Sequence, residues 1–318
     1  MVEVAAAALT HRGRVRPVNE DSVIAKTRVF AVADGMGGHR AGDLASAVVA
    51  EEMERLAATA GPISPKQVDA AVTAARTRLN NMALFKLGRQ AGATLSGAVL
   101  VGHEPEPQWL IVNLGDSRTY RYAEGQLTQL TVDHSRVAEL LAAGQITDSQ
   151  ARYHPERHVV TKALGAGAEF TPDYSLIPVT VGDRLLICSD GLTNEVDDAQ
   201  IATFLATFAS PQSAAQALLD AALSHGGADN ISVVIVDVTS LAQGADGTPE
   251  EDTDPHRQAD AATVQFRTPA HQTTAAQPLP AASSDQLAEP PADALTTSQK
   301  ADPETQSNTA DTSAETAK

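Results

Sequence analysis

Four aspartates in this chain stand where an apolar run stops or starts. Asp34 closes VFAVAD, Asp116 follows WLIVNLG, Asp190 ends RLLICSD and Asp229 directly precedes NISVVIV. In RPVNEDS, Glu20 and Asp21 stand ahead of a further strand pattern, with Arg16 four residues before Glu20. Taken singly, each aspartate reads as a turn or capping residue as readily as a ligand. Taken together they read differently, because packed carboxylates repel one another and raise each other's pKa unless cations hold them. An all-oxygen set selects a hard ion, Mg²⁺ or Mn²⁺, that keeps several waters. Zinc is disfavoured, since no Cys/His ligand spacing is present. Two hard ions about 3.5–4 Å apart would share a water and lower its pKa toward neutrality. Such a centre suits phosphate-monoester hydrolysis, which needs accelerations of up to roughly 10²¹.

These carboxylates need strands and turns to place them. Strand patterns fall at 4–10, 22–26, 29–33, 95–101, 109–113, 118–122, 183–188 and 231–238, and Gly125 supplies a hairpin turn after YRYAE. Gly35, Gly37 and Gly38 permit tight turns behind Asp34, and Gly42 opens an alanine-rich helix over 43–60. Ser64, Pro65 and Gln67 form a helix start, with Val68, Val72, Ala75, Leu79 and Met82 at helical spacing toward Gly88. Ser210 and Pro211 start another, running to about Ser224 and stopped by Gly226 and Gly227. Shorter helices are expected over 137–143 and 198–208. Two long helices fall together between strands that otherwise follow closely, which fits a layered sandwich of α and β elements with antiparallel pairing.

Composition divides the 318 residues in two. Residues 241–318 hold eight prolines and 13 acidic against four basic residues, with one Val, one Phe and no Ile. That composition cannot offset its chain entropy by apolar burial, so an acidic, Pro/Ala/Thr-rich disordered tail is expected there. Residues 1–240 suffice for a single core. The lone cysteine, Cys188, sits in an apolar strand and suits a reducing compartment. Neither a signal peptide nor a membrane span is expected, and the net charge of −17 argues against nucleic acid as a partner, although His11, Arg12, Arg14 and Arg16 form one basic cluster. The glycines at 35–38 lack dinucleotide-loop spacing, and neither GxxxxGK[ST] nor GxSxG occurs.

The ordered set RPVNED, VADGMGG, GATLSGAVL, VNLGDSR, SDGL and GGADNISVVIV resembles the metal-dependent protein phosphatases, the type 2C-like Ser/Thr phosphatases, in their bacterial branch. The resemblance spans nearly all of residues 1–240. It implies an α+β fold, a four-layer αββα sandwich of two antiparallel sheets flanked by helix pairs, with a binuclear Mn²⁺/Mg²⁺ centre at one end. Asp34 would bridge two ions, Gly35 would lend its carbonyl, and Asp190 and Asp229 would complete the set. Asp116 matches the position of a third, weaker ion, Arg16 the arginine that grips phosphate, and Glu20 and Asp21 residues that hold waters around the ions. Met36 stands where many eukaryotic members carry a histidine, His39 follows two residues after Gly37, and Ala93 replaces a frequent threonine. Residues 143–162 resemble a flap beside the active site, with Arg152, His154, Arg157 and His158. The implied protein is a cytoplasmic, freely diffusing monomer that hydrolyses phosphoserine and phosphothreonine in proteins, opposing Ser/Thr kinases. Two rivals are a phosphoprotein-binding pseudophosphatase and a phosphatase of a partner-switching sigma-factor regulator.

Overall fold

In β3 (Val29–Met36) the pleat sorts buried side chains by parity: Val29, Ala31 and Ala33 face one core, while Phe30 and Val32 face another. The computed structural model describes residues 2–37, 41–82, 91–102, 106–151, 153–165 and 167–241. These lie in the first of two units of the chain, Met1–Ala270 and His271–Lys318.

One antiparallel sheet has the order β1 (Val2–His11), β12 (Ile231–Leu241), β11 (Arg184–Cys188), β7 (Arg118–Ala123), β8 (Gln126–Gln129). The other runs β10 (Asp173–Pro178), β6 (Gln108–Leu114), β5 (Leu95–Val101), β3, β4 (Gly92–Ala93), β9 (Leu164–Gly165), with β2 (Asp21–Lys26) also paired to β3. Phe30, Trp109 and Ile111 of the second sheet pack on Leu185, Ile187, Val234 and Val236 of the first. Outside the second sheet, α1 (Ala41–Ala57) and α2 (Pro65–Met82) present Val49, Met53, Val72 and Leu79 to Ala31, Val99 and Leu110. Outside the first, α6 (Asp198–Thr207) and α7 (Pro211–His225) present Ile201, Leu205 and Leu218 to Leu186, Cys188 and Val233. The described residues therefore form the expected α+β, four-layer sandwich. Three short helices, α3 (Arg136–Ala142), α4 (Asp148–Ala151) and α5 (Asp190–Thr193), lie in connections.

Several boundaries differ from the sequence reading. Strand β3 continues through Gly35 and Met36 because these pair with Ala93 and Gly92, so Asp34 lies on the strand and not past its end. Asp183 stands just outside β11 and accepts two bonds from Arg121 at 2.8 Å. Strand β10 has only partly buried or exposed residues and no run of apolar ones, and the two-residue strands β4 and β9 are too short to show a period. The predicted reach of α2 toward Gly88 falls outside the described residues. Cys188 is fully buried, and burial pushes its thiol up to about 12, as suits a core residue.

Trp109 is the largest fully buried side chain and meets Phe30 edge-on, with centroids 5.9 Å apart. Trp109→Ala should therefore cost about 3–5 kcal/mol in urea unfolding. A loss under about 1 kcal/mol, the size typical of a surface change, would contradict the inter-sheet packing.

Candidate functional site

The strand ends at one edge of the sandwich bring the predicted residues together. Antiparallel register sets Asp21 of β2 opposite Asp34 of β3. Asp116 lies in the turn between β6 and β7, which carries the chain from one sheet to the other. Asp190 opens α5 two residues after the end of β11, and Asp229 lies two residues before the start of β12. Arg16, Glu20, Asp34, Gly35, Asp116, Asp190 and Asp229 all line one cleft of about 1500 Å³, while Asp21 lies buried behind its wall.

Close backbone approach holds these pieces in place. A Cβ on Gly35 would collide with the carbonyls of Gly42 and Glu20, so glycine is needed where three segments meet. The expected tight turn at Gly35 is thus joined by a packing reason. A Cβ on Gly191 would likewise strike the Asn230 carbonyl. Asp34 donates its amide to Thr94 Oγ1 at 3.0 Å, and the Thr94 amide donates to the Asp34 carbonyl at 2.9 Å.

Burial and like charge then act together. Burial raises Asp34 well above the usual carboxylate range, and Asp21, Asp190, Asp116 and Asp229 raise it further. Asp116 is raised by burial, then by Asp190 and Asp133. Asp190 is raised by burial and by Asp229, and a hydrogen bond shared with Asp34 partly offsets this. Asp21 is pushed up to about 7 by burial, although its Oδ2 accepts from Ser232 at 2.7 Å and Ser189 at 2.8 Å. Glu20 is raised, again mainly by burial. Asp190 Oδ1 and Asp21 Oδ1 are buried and have no hydrogen-bond partner. Buried acceptor oxygens with no donor are what a hard cation would satisfy, so these residues fit one. No closed group of three or more His, Cys, Asp or Glu ligands is preformed among the described residues. Arg16 Nη2 donates to Asp229 Oδ2 at 2.7 Å.

Some positioning residues escaped the sequence reading. Asn230 donates to the carbonyls of Arg12 and Val18 at 3.0 and 2.9 Å and accepts the Glu20 amide at 2.8 Å, which fixes the loop bearing Arg16. The signal for Ser189 and Ser232 was small polar residues inside the otherwise apolar LLICSD and ISVVIV. Arg118 grips Asp133 with two nitrogens at 2.7–3.0 Å in the cleft wall, a pairing between distant segments that spacing does not reveal. Of the flap residues, Arg157 and His158 line the cleft and His154 does not. His39, Gly38 and Arg152 lie outside the described residues.

Residues 15–225 match the family model described as protein phosphatase 2C. The chain belongs to the protein phosphatase 2C family. It is 38% identical over 243 residues to the serine/threonine protein phosphatase PstP of Mycobacterium tuberculosis, covering 75% of this chain and 46% of PstP. The chain thus spans about half the length of that relative. It is 33% identical over 250 residues to the serine/threonine phosphatase stp of Listeria innocua, covering 75% of this chain and 98% of stp. The crystal structure of the PstP catalytic domain in complex with two manganese ions superimposes with a TM-score of 0.68 at 35% identity, covering 76% of this chain and 100% of that one.

The raised carboxylates fix a sign for stability against pH. Asp21 titrates near 3.8 when unfolded and about 7 when folded. Between those values the folded state keeps a proton that the unfolded chain has released, so stability falls as pH rises through the window. In chelator, the urea midpoint should fall from pH 5 to pH 7.5, and Asp21→Asn should flatten part of the fall. A midpoint that climbs over that range would contradict the buried cluster.

Proposed function

We propose that the chain is a metal-dependent protein serine/threonine phosphatase, with residues 1–240 carrying the chemistry and 241–318 an appended tail. The observation that carries this reading is the convergence of Asp34, Asp116, Asp190 and Asp229 on one cleft beside Arg16, with a buried Asp190 oxygen lacking any donor. Family membership and the manganese-bound PstP structure support it. Asp34, Asp190, Asp229 and the Gly35 carbonyl would hold two ions, Mn²⁺ or Mg²⁺, with Asp116 offering a place for a third. Bound there, such ions would lower the pKa of a water toward about 7 and offset charge on the phosphoryl oxygens.

The chain's own residues do the rest. Arg16 offers a planar fork of donors that matches two phosphoryl oxygens. That fork rests on Asp229, so the pair must open before either residue can take up its role. An exposed pair of this kind is worth only about 0–1 kcal/mol, so the opening is easy. Glu20 and Asp21 stand behind the cluster to orient waters, and Asn230 keeps the Arg16 loop in register with Asp229. Water attacks phosphorus directly, the ester P–O bond breaks, and the serine or threonine oxygen takes up a proton. The chain's one thiol is fully buried and protonated, and serves no covalent step. The substrates are phosphorylated Ser/Thr proteins, with Ser/Thr kinases as the opposing enzymes. No helix among the described residues is long and apolar enough to cross a membrane.

The test is hydrolysis of p-nitrophenyl phosphate and a phosphothreonine peptide by the full chain in EDTA, Mg²⁺ and Mn²⁺. Turnover should require Mg²⁺ or Mn²⁺ and vanish in EDTA. Asp34→Asn and Asp229→Asn should abolish it with the circular dichroism spectrum unchanged, and Arg16→Ala should lower kcat/KM by about 10²-fold. A folded protein inactive with every metal would overturn the reading and leave phosphoprotein binding in its place.

A further inference from the structure

The basic cluster at the end of β1 is only partly used by the proposed chemistry, which employs Arg16 alone. Arg12 and Arg14 are exposed, and neither forms an ion pair with a carboxylate among the described residues. Both are nonetheless held beside the cleft. Arg12 Nη1 donates to the Arg16 carbonyl at 2.9 Å, which ties its guanidinium to the residue proposed to grip phosphate. The Arg14 amide donates to the Gly227 carbonyl at 2.7 Å, two residues before Asp229, and a Cβ on Gly227 would meet Arg14 Cγ at 3.5 Å. Across from it, Glu195 accepts the Ala228 amide at 3.0 Å. Val15 and Val18, 71% and 43% exposed, add apolar surface to the same loop.

We propose that Arg12 and Arg14 form a recognition ledge for an anionic group flanking the phosphorylated residue of the substrate, either a second phosphate or an acidic side chain. The proposal rests on the phosphatase reading above. A chain of net charge −17 repels anionic peptides at a distance. Salt screens that repulsion beyond about 8 Å, so the charges immediately around the cleft decide what binds. An extended peptide advances about 3.3 Å per residue, and Arg14 is two positions from Arg16. Held beside Arg16, the ledge reads side chains near the scissile phosphate in the substrate's sequence. Guanidinium forks suit both phosphate and carboxylate, the shared chemistry of the two candidates.

The test uses the full chain with Mn²⁺, p-nitrophenyl phosphate and three phosphothreonine peptides with neutral, glutamate or second-phosphothreonine flanks. Wild type should favour the anionic flanks by about three- to tenfold in kcat/KM, with the preference shrinking at high salt. Arg12→Gln and Arg14→Gln should each weaken the preference and R12E/R14E should invert it, while Arg14→Gln leaves turnover of p-nitrophenyl phosphate unchanged. Arg14→Gln decides the matter if Arg12→Gln also disturbs Arg16 through its lost hydrogen bond. A gain with both anionic peptides assigns a carboxylate-competent ledge, and a gain only with the second phosphate assigns a phosphate site. Equal rates on all three peptides, or a preference that survives Arg14→Gln, would overturn the ledge. Wild type inactive on p-nitrophenyl phosphate would instead overturn the phosphatase reading itself.

Discussion

Asp34 stands among Asp21, Asp116, Asp190 and Asp229, in surroundings that already penalise its charge. Burial and neighbouring charge together make Asp21, Asp34, Asp116 and Asp190 harder to ionise. Left alone, such a group must keep protons, share them or recruit a cation. Asp21 is accordingly pushed up to about 7, and Arg16 Nη2 donates to Asp229 Oδ2 at 2.7 Å.

The fold tolerates this repulsion because the carboxylates do not support one another; the sheets support them. Asp21 and Asp34 are fixed by strand register, Asp190 and Asp229 by the ends of the paired strands β11 and β12, and Asp116 by the turn that joins the two sheets. Their backbones approach so closely that Gly35 and Gly191 have no room for a side chain. The inter-sheet core of Phe30, Trp109 and Leu185 therefore does more than stabilise the chain, since the separation of the two sheets sets the spacing of the aspartates.

The apolar runs before Asp34, Asp116 and Asp190 were legible because a buried strand writes itself as consecutive Val, Ile, Leu and Ala. Helices α2 and α7 were legible from Ser-Pro starts, and the Ser210 hydroxyl accepts the Ser213 amide as a cap should. Strand β10 was not, because an edge strand ending in Pro178 buries too little to leave a period. Convergence of the aspartates could be argued only from repulsion, since no spacing in the chain relates Asp34 to Asp229. The clamp by Asn230 was hidden for the same reason: its partners, Arg12, Val18 and Glu20, are more than 200 positions away.

The most direct test of the central claim is calorimetric titration of the metal-stripped full chain with Mn²⁺ at neutral pH. The account predicts at least two ions per chain, proton release on binding as the raised carboxylates ionise, and loss of both ions or of one in Asp34→Asn. Binding of no ion, or a stoichiometry and proton release that Asp34→Asn leaves untouched, would contradict it.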